Sequence, residues 1–160
     1  MKCDTKCEAI MTVDSPRLRE DDPVGVAFEM LLRHRVLTLP VVDAQGRYVG
    51  MFGKHRILSL LVPMLSGTDD RLPTLARLRD YASEDDSIDD IRRRLNDIGS
   101  DPVGFYAEKD APTLTSDAPL SQALQLLYQT RNYLPVLGED GKLEGMLTTW
   151  DALERIADKK

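Results

Sequence analysis

Apolar positions along the chain change period in a fixed order, and the order occurs twice. Val24, Ala27, Phe28, Leu31 and Leu32 fall at i, i+3, i+4, i+7 and i+8, which is one face of an amphipathic helix. A short extended run "LPVV" follows, then a polar turn around Gly46, a second run "YVGMF", and the apolar-periodic stretch "RILSLLVP". The series returns with Leu120, Ala123, Leu124, Leu127 and Tyr128, then "LPVL", a turn at Gly141, "LEGML" and "DALERIADKK". Ahead of each helix, Pro16 and Leu18 in "SPRLRE" are answered by Pro112 and Leu114 in "APTLTS". The predicted order is therefore β-α-β-β-α, twice. Pro23 and Pro119 fit first helical turns, preceded by Asp21 and Asp22 or by Asp117.

The correspondence extends to residue identity. "LPVVDAQGRYVGM" from Leu39 and "LPVLGEDGKLEGM" from Leu134 share the Leu-Pro-Val entry, the turn glycine and the Gly-Met pair at an offset of 95. Upstream the offset is 96, because the second copy has one residue fewer between helix and hairpin. A repeat at fixed spacing predicts two similar structural units. A unit of about 60 residues buries too little surface to be more than marginal alone, so the matched Leu, Val, Ile and Ala positions are read as packing. Between the copies, Ser87 and Asp90 form a capping box ahead of a predicted helix that stops at Gly99. Ile88, Ile91, Leu95 and Ile98 are its expected buried stripe, and Asp89–Arg93 and Asp90–Arg94 its expected i,i+4 pairs. This helix is expected to be a solvated connector.

Composition narrows the function. No apolar run approaches the roughly 18 residues of a membrane span, and "KCDTKCEAIM" lacks a signal peptide's apolar stretch. A soluble, cytoplasmic protein without membrane partners is expected. Net charge is −6, and residues 65–110 concentrate the excess, with 7 basic and 12 acidic side chains. The lack of a basic patch argues against nucleic-acid binding. Cys3 and Cys7 read as free, partly exposed thiols, and His34 and His55 have no neighbours that would complete a metal site. No nucleophile–base set or carboxylate pair is evident, so neither an enzyme nor a cofactor is expected.

Chemistry concentrates in "GMLTTWD", Gly145 to Asp151, where strand gives way to helix. Unpaired backbone N–H groups and the positive end of the helix dipole suit a phosphate there. Thr148 could donate to it and Asp151 could accept ribose hydroxyls, although Thr-x-x-Asp is equally an ordinary capping box. The first copy reads "GMFGKHR", with Gly53 in place of Thr148 and Arg56 in place of Asp151. A phosphate loop is excluded there, since Tyr48 and His55 occupy positions that need Gly and Ser or Thr.

With "LPVVDAQGRYVG" and "GMLTTWD", the two units resemble a pair of CBS (cystathionine-β-synthase) domains, the tandem called a Bateman module. The resemblance covers residues 8–64 as unit 1 and 101–158 as unit 2, around a charged helical connector at 65–100. It implies an α+β fold packed about a pseudo-twofold axis, with clefts that take adenosine-containing ligands. Gly145, Met146, Thr148 and Asp151 match the family's ribose and phosphate signature. By position the resemblance implicates Thr12, Val36 and Leu37 in contacts to the base. Asn132 and Tyr133 stand where nucleotide sensors often carry basic residues. "GKHRIL" resembles the basic motif of the γ subunit of AMP-activated protein kinase, which makes Lys54, His55 and Arg56 candidate phosphate contacts. The implied function is a stand-alone regulatory module, homodimeric, that senses an adenine nucleotide or other adenosyl compound for an unknown regulated protein. The alternative is a ligand-free dimerisation or docking module with vestigial clefts.

Overall fold

The computed structural model describes residues 5–62, 86–130 and 133–157. The first copy supplies β1 (Leu18–Arg19), α1 (Val24–His34), β2 (Thr38–Val42), β3 (Tyr48–Gly53) and α2 (Lys54–Leu61). Then come α3 (Ile88–Ile98) and a 3-10 turn (Val103–Phe105). The second copy supplies β4 (Leu114–Thr115), α4 (Leu120–Thr130), β5 (Leu134–Leu137), β6 (Leu143–Leu147) and α5 (Thr149–Ile156). A further 3-10 turn, Cys7–Ala9, opens the described chain. The twofold β-α-β-β-α order is as the periodicity predicts, and the α+β class is as the resemblance implies. Each copy forms a three-stranded sheet, ordered β1-β2-β3 and β4-β5-β6. In the second, β4 runs parallel to β5 and β5 antiparallel to β6, with an irregularity between Val136 and Leu137. The hairpin turns place Gly46 at φ 81° and Gly141 at φ 75°, the left-handed region that favours glycine.

The compact units do not follow chain order. One comprises Leu18–Val41 and Val49–Lys109, and the other Met1–Arg17, Val42–Tyr48 and Asp110–Lys160. The segment preceding each copy, its leader, thus belongs to the unit of the other copy. They are called here the first-copy and second-copy units.

In the first-copy unit, Leu18, Val24, Ala27, Leu31, Leu39, Phe52 and Leu60 form one buried cluster with Ile98, Val103 and Tyr106. α3 is therefore part of that interior, not a solvated connector. Its capping box forms, with Ser87 Oγ accepting from Asp90 N and Asp90 accepting from Ser87 N. The expected i,i+4 pairs do not form: Asp89 pairs with Arg92 and Asp90 with Arg93 at i,i+3. Arg94 lies on the same face as Ile91 and Ile98 and is buried, ion-paired with Asp86. It donates at 2.7 Å to the Leu61 carbonyl, one of the orphan acceptors at the end of α2. Ile88, in the first turn, is exposed instead of buried.

In the second-copy unit, Cys7 is fully buried among Leu114, Ala118, Ala123, Leu127, Leu134, Val136, Leu147 and Ala152. The expectation of a partly exposed thiol is corrected. The leader is tied down by Cys7 N→Ala118 O and Glu8 N→Ser116 O, both 3.0 Å, and by Leu120 N→Thr5 O at 2.9 Å. Burial pushes the Cys7 thiol above its ordinary pKa. Cys3 lies outside the described residues. The helical stripes are wider than the cores they serve: Ala27 and Leu31, Ala123 and Leu127 are buried, whereas Leu32 and Tyr128 are exposed.

Candidate functional site at the strand-to-helix junctions

β6 ends at Leu147, and Thr148 turns the chain into α5 with an extended backbone. Thr148 Oγ1 accepts from Asp151 N at 3.2 Å, while Asp151 Oδ2 accepts from Thr148 N at 2.8 Å and from Thr148 Oγ1 at 3.0 Å. The capping box is thus formed. It leaves Asp151 Oδ1 outside the box, where it accepts from the exposed Thr12 hydroxyl at 3.1 Å. A carboxylate offers about four lone-pair sites, and these bonds use three of them.

Thr12 reaches Asp151 because the leader lies against β6. Thr12 N donates to Met146 O at 2.8 Å and Met146 N to Thr12 O at 2.9 Å. Gly145 permits this approach, since a Cβ there would sit 2.8 Å from the Thr12 carbonyl oxygen. Trp150, beside Asp151, is exposed.

The first-copy unit repeats the frame with different chemistry. Met51 N donates to Glu108 O at 2.9 Å and Glu108 N to Met51 O at 2.7 Å. Gly53 caps α2 without a side chain, because a Cβ would lie 2.5 Å from the Leu37 carbonyl oxygen and 2.7 Å from the Thr38 side chain. The Leu37 carbonyl accepts from Lys54 N at 2.9 Å, so it cannot simply withdraw. Arg56 is largely buried, with one guanidinium nitrogen 3.8 Å from Glu108 Oε1. Its Nε is buried and has no hydrogen-bond partner among the described residues. Lys54 and His55 are exposed.

Of the residues singled out from sequence, Thr12, Met146, Thr148 and Asp151 come together in the second-copy unit. Tyr133 is half-buried just before β5 in that unit, and Asn132 lies outside the described residues. Val36, Leu37, Lys54, His55 and Arg56 belong to the first-copy unit. Thr12, which the resemblance sets against the base, is hydrogen-bonded to the Asp151 carboxylate itself. Glu108 was not singled out, yet the offset of 96 that matches the upstream segments maps Thr12 directly onto it. Among the described residues no group of three or more His, Cys, Asp or Glu could hold a metal ion. No described helix is long and apolar enough to cross a membrane.

Two β-α-β-β-α units, each with a preceding segment bridged to a Gly-Met strand that feeds a helix, define a tandem-repeat α+β module. The family model for the CBS domain matches residues 7–63 and 103–158, and the chain belongs to that family. It is 28% identical over 126 residues to the Arabidopsis thaliana CBS domain-containing protein CBSX2, chloroplastic, covering 78% of this chain and 51% of that protein. The chain thus spans about half the length of that relative. Among solved structures, CBSX2 in complex with AMP superposes with a TM-score of 0.67 at 21% identity, covering 96% of both chains. A Methanocaldococcus jannaschii protein described as a putative archaeal homologue of g-AMPK gives 0.72 at 18% identity, over 97% of this chain and 51% of that one.

Proposed function

We propose that this chain is a regulatory, non-enzymatic binding module that takes an adenosine-containing ligand at the start of α5. The observation that carries the reading is the state of Asp151. Thr148 saturates one carboxylate oxygen, while among the described residues the other meets only the exposed hydroxyl of Thr12. An acceptor held this firmly, with capacity to spare, suits a ribose hydroxyl. CBSX2, a relative of the same fold, has been crystallised with AMP, which favours an adenine nucleotide. In this reading Thr12, Met146 and Thr148 line the ribose side. Val36, Leu37, Asn132 and Tyr133 remain proposed ligand contacts from the resemblance. Lys54, His55 and Arg56 are the proposed phosphate contacts, with Lys54 and His55 offering exposed positive charge at the start of α2. Ligand binding favours one conformational state, and a regulated partner reads that state.

Association into a homodimer accompanies this proposal. Its support is apolar surface left over on helices: Leu32 on α1, Leu124 and Tyr128 on α4, and Leu153 and Ile156 on α5 are all exposed. The same side chains favour a second reading, a docking module without a ligand.

Trp150 is the chain's one tryptophan and adjoins Asp151, so its fluorescence can report binding. Titration with AMP, ADP, ATP and S-adenosylmethionine, paired with thermal melts, tests the proposal. At a ligand concentration 100 times Kd, stabilisation of about 2.7 kcal/mol is expected. Asp151→Ala, which removes charge-assisted bonds worth about 1.5–3 kcal/mol, weakens binding roughly tenfold or more. Because it also removes a cap worth about 1 kcal/mol, the stability of the ligand-free variant is measured alongside. If no adenosyl compound shifts either signal, the docking reading prevails.

A further inference from the structure

We infer that Thr12 is the resident donor on the ribose-acceptor carboxylate, displaced by the ligand's diol, and therefore a determinant of specificity between ribose and deoxyribose. The inference rests on the proposed role of Asp151 and adds a residue that sets what Asp151 can accept. Asp151 Oδ2 is occupied twice by Thr148, from N at 2.8 Å and from Oγ1 at 3.0 Å. Oδ1 is occupied once, by Thr12 Oγ1 at 3.1 Å. With about four lone-pair sites on a carboxylate, one is free. A sugar bringing one hydroxyl to this group fills that site and leaves Thr12 in place. A vicinal diol brings two, and the second takes the position Thr12 holds. The exchange is local, because the Thr12 backbone stays fixed by its two bonds to Met146, so only the side chain has to rotate.

The other unit supports the assignment independently. Glu108 is fixed by the same pair of backbone bonds, to Met51, and its carboxylate faces Arg56 at 3.8 Å. Arg56 occupies the third helical position of α2, as Asp151 does in α5. At both junctions the leader residue therefore supplies the internal counter-group for the third residue of the helix. In one the pair is a neutral hydroxyl on a carboxylate, which a ligand hydroxyl can replace like for like. In the other it is an ion pair, which a neutral hydroxyl cannot replace.

The test compares AMP with 2′-deoxy-AMP and 3′-deoxy-AMP by Trp150 fluorescence and calorimetry, on the wild type, Thr12→Val and Thr12→Ser. Thr12→Val keeps the side-chain shape and removes the donor. It is expected to bind AMP roughly three- to tenfold more tightly, in line with one recovered hydrogen bond, and to leave the deoxynucleotides nearly unchanged. The preference for ribose over deoxyribose widens accordingly. Thr12→Ser, which restores the hydroxyl, returns the discrimination to the wild-type value. Wild-type protein that binds AMP, with Thr12→Val weakening or preserving all three affinities equally, overturns the inference and leaves the role of Asp151 standing. If neither wild type nor Thr12→Val binds any of the three, the nucleotide reading falls and the inference falls with it.

Discussion

Gly145→Ala isolates the close approach on which the second-copy junction depends. The new Cβ would lie 2.8 Å from the Thr12 carbonyl oxygen and 2.9 Å from Met11 Sδ. Met11 is a flexible side chain and can move aside. The Thr12 carbonyl is backbone, and it already accepts from Met146 N at 2.9 Å, so the leader itself has to shift. Losing the two Thr12–Met146 bonds removes about 1 kcal/mol each, and overpacking adds about 1–3 kcal/mol. The reduced freedom of the unfolded chain returns about 0.4–1 kcal/mol. The net is a destabilisation of roughly 2–4 kcal/mol, or on the order of 5–15 °C in Tm for a chain of this size. Urea denaturation with hydrogen exchange resolved at single amides is the appropriate assay. Protection at the Thr12 and Met146 amides is expected to drop further than protection in the β4–β5 pairing. A variant melting within about 2 °C of the wild type, with both amides still protected, would refute the steric account. Gly50→Ala carries the same sign in the first-copy unit, where the Glu108 carbonyl oxygen would sit 2.7 Å from the new Cβ.

Two further perturbations probe the interior and the turns. Arg94→Ala strips a buried pair of one partner and leaves Asp86 and the Leu61 carbonyl behind; a loss of about 3–5 kcal/mol is expected in urea denaturation, and an effect of the size of an exposed ion pair would show that α3 is only loosely held. Asp43, accepting from the Arg47 backbone N–H, and Asp90, accepting from that of Ser87, are both held below the ordinary aspartate pKa. A depressed folded pKa gives stability that is complete above the unfolded value and is lost as pH falls through the folded one. The 43–47 turn and the start of α3 should therefore loosen only in acid, below the usual aspartate range. Carboxyl chemical shifts followed by NMR would check this, and ordinary titration of both groups would contradict it.

Element type and order were legible because each copy switches between period 3.6 and period 2, with turn chemistry at Gly46 and Gly141 between the paired strands, and because Ser87 carries cap chemistry ahead of the helix between the copies. The capping box of Thr148 and Asp151 was legible for the same reason: its partners are three residues apart. What local pattern does not encode is which unit a segment joins. Nothing in "KCEAIMT" or "DPVGFYAE" indicates that each packs on the other copy, since their backbone bonds reach more than 50 positions along the chain, from Thr12 to Met146 and from Glu108 to Met51. Cys7 reads as exposed only while its neighbours are taken to be sequence neighbours. Arg94 was misread for a related reason. An i,i+4 acidic partner was available at Asp90, but an unpaired carbonyl at the end of α2 and Asp86 made a buried alternative.

The differences between the two junctions form one linked set. In the first-copy unit the Leu37 carbonyl lies where a side chain on residue 53 would have to go, so glycine is required. Glycine has no side-chain oxygen to accept from the third residue of the helix, and the reciprocal box formed by Thr148 and Asp151 cannot form there. The third position is thereby released from being acidic, and it is arginine. A guanidinium largely withdrawn from water needs an anion, and the leader supplies Glu108. In the second-copy unit the choices run the other way. The Thr148 cap favours Asp151, whose second oxygen takes a neutral donor, and a glutamate in place of Thr12 would set two carboxylates against each other. The glutamate therefore suits only the first-copy junction and the threonine only the second. The inequality of the two junctions follows from the space available at residue 53, through a series of pairings that each leave one choice for the next.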